Sequence, residues 1–213
     1  MARPRDSVRP SPLQPATRDQ ILRVAQEVFG REGFLRARLE DIASAVRIRR
    51  PSLLYHYDTK EKLYGAVVHR AVQGLAEALQ GAVQSPALTL EEDLARVIGA
   101  FRSYLKLHSE IARLLVRELM EPDAPGRDRL IAEVAPLVQW FERHCRKHHG
   151  VRIRKDLPIT ESVMIFSASL LLREACGEHA AKLWGDRDST ERIAAMLFVA
   201  SDTPKKRGAS SHA

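Results

Sequence analysis

The chain lacks the features that mark secreted, membrane-spanning and disulfide-stabilised proteins. Among its 213 residues there are two cysteines, Cys145 and Cys176, which are too few and too far apart for a disulfide framework. No apolar run approaches the ~20 residues needed to span a bilayer. The amino terminus, MARPRDSVRPSPLQP, has arginines and prolines but no apolar central region, unlike a secretory signal. We therefore expect a soluble protein in the reducing cytoplasm.

Signatures of common catalytic sites are also missing. The sequence has no phosphate-binding loop, no nucleophile elbow and no helical His-Glu-x-x-His. The segment HCRKHH invites a metal interpretation, because His144 and His148 lie one turn apart and Cys145 is a soft ligand. However, Cys145 and His149 face another direction, no carboxylate completes the set, and the adjacent arginine and lysine oppose a cation. We predict no catalytic residue, no metal and no cofactor.

Positive charge is unevenly distributed along the chain. The formal net charge is +7. Residues 1–62 contain 13 Lys and Arg against 8 Asp and Glu, residues 63–201 contain 18 of each, and residues 202–213 contain 3 against 1. The excess in the first third indicates an anionic partner or a basic tail.

Helical periodicity covers nearly the whole chain, because apolar residues recur every three or four positions and no segment alternates like a strand. Thr17 and Thr89 are good N-caps. We predict an all-α fold in which a small three-helix head, residues 17–62, joins a larger helical body, residues 63–201. Residues 1–16 and 202–213 are expected to be disordered tails. About nine helices are predicted: 17–33, 39–46, 51–57, 60–80, 89–107, 109–120, 127–149, 159–177 and 189–200.

The second and third predicted helices have the arrangement of a helix-turn-helix, in which the second helix enters the DNA major groove. About four residues separate them. At ~100° per residue, Leu53 and Tyr57 fall ~40° apart with Leu54 beside them, so these three face inward. Polar groups able to bond base edges or phosphates occupy the opposite side. They belong to Ser52, Tyr55, His56 and Thr59.

Three arginines, Arg47, Arg49 and Arg50, stand at the amino end of the third helix. Its dipole and free amides already favour an anion there. The planar guanidinium fork suits phosphate or guanine. A basic cluster before a surface helix is common by itself, but here the helix lengths, the turn and the polar face all agree. That agreement favours DNA as the partner.

A spaced set of residues links the head to a known family. The set comprises Val28-Phe29 and Gly33-Phe34, then Ile42-Ala43, then Leu53 and His56-Tyr57, and finally Lys60-Glu61-Lys62-Leu63. Over residues 17–64 this text resembles the DNA-binding head of tetracycline-repressor-type (TetR family) transcriptional regulators. The resemblance implies a homodimeric regulator, typically a repressor, that binds a palindromic operator on double-stranded DNA and is released by a small-molecule ligand.

Three positions depart from the usual family text. Arg47 stands where glycine is common, Arg49 where a capping serine is frequent, and Leu54 where tyrosine is usual. A missing cap costs ~0.5–2 kcal/mol. Pro51 partly offsets that cost by fixing φ in the first turn. The predicted DNA-binding residues are Arg38, Arg47, Arg49, Arg50, Ser52, Tyr55, His56, Thr59 and Lys60.

The body should hold a mainly apolar ligand and, as the resemblance implies, dimerise through the helices near 159–177 and 189–200. In PITESVMIFSASLLLREAC the apolar residues nearly encircle the helix, so either a second chain or a central core position buries the further face. Aromatic residues at this spacing also occur in ordinary cores. The candidate ligand-binding residues are Phe101, Tyr104, Trp140, Phe141, Met164 and Phe166, with His108 and His144 as polar groups.

Two other classes of function remain open at this point. The first is a metal-assisted enzyme on a helical bundle, which a bound metal would reveal. The second is a protein that binds polyanions or membrane surfaces through its basic tails, which would lose binding when residues 1–16 and 202–213 are removed. A regulator would keep sequence-specific DNA binding after that truncation.

Overall fold

The computed structural model describes residues 18–121 and 123–200, and most of this part of the chain is α-helical. The all-α prediction is confirmed. The predictions for the two tails and for Thr17 as a cap concern residues outside the described ranges. The helices are α1 Arg18–Arg36, α2 Leu39–Ala45, α3 Arg50–His56, α4 Lys60–Ala82, α5 Leu90–Leu107, α6 Ser109–Met120, α7 Arg127–His149, α8 Ile159–Cys176, α9 Ala180–Trp184 and α10 Thr190–Phe198.

Helix starts agree with the sequence where a cap fixes them locally. The Thr59 hydroxyl accepts a hydrogen bond from the Lys62 amide (3.1 Å) at the start of α4. Thr89 does the same for Glu92 (3.1 Å) at the start of α5. Each cap satisfies an amide that has no partner within the helix. The short α9 and a 3-10 turn, Gly177–His179, fall between the predicted helices and were not anticipated.

Helix α1 contains a kink at Gly33, where the sequence predicts its end. Gly33 has φ 76° and ψ 170°, a conformation that glycine adopts without a Cβ penalty. One further helical turn follows, up to Arg36. The kink directs that last turn toward the start of α2.

One hydrophobic core runs from the head into the body. It includes Phe29 of α1, Leu53 of α3, Leu114 of α6 and Leu170 of α8. Helix α4 contributes to both parts of the molecule along its length. Because the core is continuous, the head and the body do not have separate cores. The domain boundary between residues 62 and 63 stays a prediction.

A second, smaller core lies at one end of the body. It consists of Leu90, Leu94, Cys145, Ile153, Ile159 and Phe198. A single antiparallel β-bridge between Ile153 and Val199 closes this end within the described ranges. In residues 18–121 and 123–200, no helix is both long and apolar enough to cross a membrane.

Helix α6 is packed tightly against α1. A Cβ placed on Gly30 would lie 2.5 Å from the Glu110 Cβ, closer than nonbonded carbons approach. Only glycine allows the two helices to meet this closely at residue 30. Helix α6 also packs against α8, so it contacts the head on one side and the body on the other.

Candidate DNA-binding surface, ligand cavity and histidine cluster

Arg47 gives the turn between α2 and α3 its shape. It has φ 58°, the left-handed region that favours glycine. The Ile48 amide donates to the Ala43 carbonyl (2.9 Å) and the Arg47 amide to Ser44 (3.0 Å), the paired bonds of a Schellman motif. This explains why relatives commonly have glycine at the position of Arg47.

The faces of α3 agree with the sequence prediction. Leu53 is fully buried and Tyr57 almost so. Leu54 is half-buried against the core. On the other side, Ser52 is exposed and Tyr55 is 87% exposed. The helix is therefore seated by its apolar residues and presents polar groups outward.

The arginines at the amino end of α3 are exposed and mostly without ionic partners. Arg50 lies 3.3 Å from Glu40 at the start of α2. Within the described ranges, no ion pair or side-chain hydrogen bond involves Arg38, Arg47 or Arg49. Arg38 is the N-cap of α2, two residues before Glu40. The contact of Glu40 with Arg50 places the start of α2 beside the start of α3. The guanidinium groups are available to an anionic partner.

The start of α3 has no side-chain cap. Arg49 occupies the N-cap position with φ −85° and ψ 151°, and its side chain cannot accept an amide hydrogen bond. Pro51 lies in the first turn, where its missing N–H costs little. The free amides and the positive end of the helix dipole therefore point toward the same region as the arginines.

The remaining predicted DNA-binding residues have structural roles as well. Thr59 is exposed and caps α4. The Lys60 ammonium donates to the Leu35 carbonyl (3.3 Å) and lies 4.6 Å from the centre of the Phe34 ring. His56 is half-buried beside Tyr55, with ring centres 5.8 Å apart. These side chains border the arginine cluster and help hold the head together.

Arg117 of α6 connects the body to the head. Its guanidinium donates to the Gly30 carbonyl (3.1 Å) and the Arg31 carbonyl (3.3 Å) just before the kink of α1. These carbonyls would otherwise lose their helical partners near Gly33. A second link joins Gln26 of α1 to Glu110 of α6 (2.8 Å).

A buried carboxyl group of α6 bonds α4 just after the head. The Tyr64 hydroxyl of α4 donates to the Glu118 carboxylate of α6. The Tyr64 ring packs edge-on against Phe29 (4.8 Å) and Phe34 (5.0 Å). Burial raises the pKa of Glu118, while the Tyr64 hydrogen bond opposes that rise. Burial and the nearby carboxylate raise the pKa of Tyr64, which keeps its proton as the donor.

The body contains a cavity of about 380 Å³, within the range of small-molecule sites. Helices α4 to α8 and α10 supply its walls, including Leu75, Leu79, Ile98 and Leu115. Four of the predicted ligand-binding residues line it together. They are Phe101, Phe141, Met164 and Phe166.

The other four predicted ligand-binding residues lie outside this cavity, so the prediction that they line it is corrected. The Tyr104 hydroxyl donates to the Ala71 carbonyl (2.9 Å), which turns the ring toward α4. His108 ends α5 and packs against Tyr104, with ring centres 4.9 Å apart. Trp140 stacks on His144 (5.8 Å) beside the cavity. Neither histidine therefore supplies a polar group to the cavity.

His144 and His149 form a cluster with Asp93. Their Nε2 atoms lie 2.7 and 2.8 Å from the same Asp93 Oδ2 atom. His144 and His148 lie one turn apart as expected, with ring centres 4.8 Å apart. The expectation that no carboxylate joins these histidines is corrected by Asp93. The adjacent Cys145 is buried, and burial together with Asp93 raises the pKa of its thiol to about 12. Among the described residues, no group of three or more His, Cys, Asp or Glu is arranged to hold a metal ion.

Two features were not predicted from the sequence. They are the bonds of α6 to α1 and α4, and the part of the cavity wall that α4 contributes. Arg117 and Glu118 stand in a strongly amphipathic helix, and Glu118 is 1% exposed. A charged residue on an apolar stripe is the signal that could have identified Glu118. Val72, Leu75 and Leu79 continue the apolar stripe of α4 beyond the head and could have been assigned to the cavity by their spacing.

Comparison with known proteins supports the family resemblance of the head, and one relative also aligns with much of the body. The family of bacterial regulatory proteins called tetR matches residues 21–67. The transcriptional regulator RutR of Escherichia coli K12 is 31% identical over 158 residues, covering 71% of this chain and 69% of RutR. The repressor NicS of Pseudomonas putida KT2440 is 28% identical over 102 residues, and the chain spans about half its length, 48% of each protein.

The fold agrees with a solved relative. The crystal structure of a TetR-like transcriptional regulator from Rhodococcus sp. RHA1 superposes with a TM-score of 0.55 at 25% identity, covering 84% of this chain and 94% of that one. The chain belongs to the tetR family of bacterial regulatory proteins. It is a transcriptional regulator with a helix-turn-helix DNA-binding head.

Proposed function

We propose that the protein is a homodimeric repressor that binds a palindromic operator on double-stranded DNA and is released by an apolar small molecule. The observation that carries the proposal is the group of exposed arginines, Arg47, Arg49 and Arg50, at the amino end of a helix with polar outward residues. Its proposed place is the cytoplasm, because the proposed partner is DNA.

The proposed contacts divide into two kinds. The arginines and the free amides at the start of α3 suit phosphates, which fix the position of the head without reading sequence. Ser52 and Tyr55 project from the exposed face of α3 toward base edges. Thr59 and Lys60 at the start of α4 would contact the backbone beside them. The remaining predicted positions, Arg38 and His56, lie at the margins of this surface.

A second copy of the chain would cover apolar residues that one protomer leaves exposed. On α8, Leu170 and Leu171 are buried, whereas Ile165 is 65% and Leu172 44% exposed. On α10, Ile193 and Met196 are exposed three residues apart, on one side of the helix. These side chains support dimerisation through α8 and α10. In a dimer, the two heads would meet successive major grooves ~34–36 Å apart.

Helix α6 is suited to couple the cavity to the head. Leu115 and Leu119 line the cavity on one side of α6. On the opposite side of α6, Arg117 bonds α1 of the head, while Glu118 bonds Tyr64 at the start of α4. A ligand that displaces Leu115 or Leu119 would therefore move the carbonyl contacts of α1 as well. Release from DNA would follow as a shift of the population toward dimers whose heads are wrongly spaced.

The test is DNA binding by the variants Arg49→Ala and Arg50→Ala, using a sequence selected from a random DNA pool. Each substitution should cost ~1–3 kcal/mol of binding free energy if the arginine contacts a base, or reduce the salt slope by about 1 if it contacts a phosphate. Arg152→Ala provides a matched control, because Arg152 is exposed on the body and should not affect DNA binding. Unchanged affinity and salt dependence in both head variants would contradict the proposal.

A further inference from the structure

The cavity contains no ionisable side chain. All of its lining residues are apolar except Gln139, Thr160 and Ser167. A buried ion without an opposite charge or several hydrogen bonds loses its hydration without compensation. A ligand held in this cavity therefore cannot carry a charge on the part that is enclosed.

The cavity opens between α7 and α8. On α7, the lining residues Ile131, Ala135 and Gln139 are exposed and lie four residues apart. On α8, Thr160, Met164 and Ala168 repeat that spacing and that exposure. Side chains four residues apart share one side of a helix, so each set forms a row. The two rows border a slot about 12 Å long, at 1.5 Å of rise per residue.

The two ends of the slot differ in polarity. At one end, the Thr160 hydroxyl donates to the Glu142 carboxylate (2.9 Å) and so ties α8 to α7. Gln139 lies one turn before Glu142 on α7. At the other end the exposed lining residues are apolar, with Ile131 on α7 and Leu119 contributed by α6. The slot therefore has the Thr160, Gln139 and Glu142 groups at one end, and Ser167 is the polar lining residue nearest the other end.

Glu142 remains a carboxylate at neutral pH. The Arg146 guanidinium donates two hydrogen bonds to one of its oxygens (2.9 and 3.1 Å). These bonds and the one from Thr160 lower the pKa of Glu142. The polar end of the slot thus presents the Glu142–Arg146 ion pair and hydrogen-bond acceptors to an entering molecule.

We propose that the cavity takes an uncharged, elongated molecule with an apolar body and one hydrogen-bond donor, such as a hydroxyl, placed at the Glu142 end of the slot. This inference rests on the proposed ligand-responsive function and names the chemical class of its ligand. A carboxylate with the same chain is disfavoured, because the cavity has no cation to pair with it and Arg146 at the polar end is already paired with Glu142.

The test compares 1-decanol with decanoate at pH 7.5 by calorimetric titration of the full-length protein in the absence of DNA. We expect decanol to bind and decanoate to bind at least about tenfold more weakly. Glu142→Gln should bring the two affinities closer by strengthening decanoate binding severalfold, because it frees Arg146 from its ion pair. Glu161→Gln is the matched control, since Glu161 is exposed on α8 and does not line the cavity.

The outcomes separate this inference from the proposed function. Equal binding of the two molecules, tighter binding of decanoate, or no binding of decanol would each overturn the ligand class. An equal gain in decanoate binding by the Glu161 variant would also overturn the role given to Glu142. DNA binding, measured without ligand, tests the regulator separately. If the protein does not bind DNA but still prefers decanol, the proposed function is contradicted and the proposed ligand class is retained.

Discussion

The surface at the start of α3 and the cavity of the body differ in the charges they carry. Arg47 and Arg49 are exposed and have no ionic partner within the described part of the chain. The cavity walls contain no ionisable group. An exposed cluster of like charges gains free energy only when an anion arrives, whereas the cavity can accept a molecule only without a charge. The two sites therefore select partners by opposite electrostatic rules.

The comparison also concerns how each site is built. The proposed DNA-binding surface comes from one continuous stretch of chain, residues 38–60, and each side chain's direction follows from its own helix. The cavity is assembled from six helices that are distant in sequence. Substitutions should therefore separate folding from binding cleanly in the head, and less cleanly in the body.

The largest expected effect is on α3 and separates its inner face from its outer face. Leu53→Ala removes a fully buried side chain and should destabilise the protein by ~2–5 kcal/mol. Tyr55→Ala, at a residue that is 87% exposed, should change stability by less than ~0.5 kcal/mol but weaken DNA binding. Urea unfolding and fluorescence anisotropy measure the two effects. Similar losses of stability in both variants would show that the assigned faces are wrong.

An intermediate effect is expected at the turn. Arg47→Gly relieves a left-handed conformation that costs ~1–2 kcal/mol, offset by the ~0.5–1 kcal/mol that glycine loses on folding. The variant should thus gain up to ~1.5 kcal/mol of stability while binding DNA more weakly. Arg47→Ala controls for the lost charge, because alanine keeps the strain.

Thermal unfolding and salt-dependent DNA titrations separate the two consequences at residue 47. Both variants should show a salt slope smaller by about 1 if Arg47 contacts a phosphate. A glycine variant no more stable than the alanine variant would contradict the strain assigned to this turn.

The smallest effect concerns Glu118 and depends on pH. Its pKa is raised in the folded protein, so the folded state holds the proton more tightly than the unfolded state. The stability of the natural protein should therefore fall as pH rises from about 4.5 through the raised pKa, and then level off. Glu118→Gln keeps the hydrogen bond from Tyr64 and should remove that part of the pH dependence. Unfolding midpoints measured from pH 4 to 8 provide the check, and parallel curves for the two proteins would argue against a charged buried carboxylate.

The sequence predicted those parts of the structure that depend on local chemistry. The helix start at Leu90 followed from the Thr89 cap, which bonds its own helix. The inward position of Leu53 and Tyr57 followed from helical periodicity alone. The unusual φ of Arg47 was visible only as a departure from the glycine that is common at that position. Each of these features involves residues close together in the chain.

Features that depend on helix packing could not be predicted in this way. The partner of His144 and His149 is Asp93, which α5 brings to them from far along the chain. Tyr104 has an aromatic ring and a hydroxyl, as many pocket residues do, but its hydrogen bond to the Ala71 carbonyl holds the hydroxyl outside the cavity. Sequence periodicity identifies which residues are buried; which neighbours they meet depends on crossing angles that the sequence alone does not reveal.

The contact between Gly30 and Glu110 has a genetic consequence. A side chain at residue 30 cannot be accommodated without displacing α6. A single-nucleotide change in the Gly30 codon therefore alters the contact between the head and the body. If the protein responds to a ligand as proposed, a selection for alleles that ignore the ligand should recover substitutions at Gly30, outside both proposed sites. In the proposed homodimer, such alleles would complement one another poorly, since each copy carries its own disrupted contact.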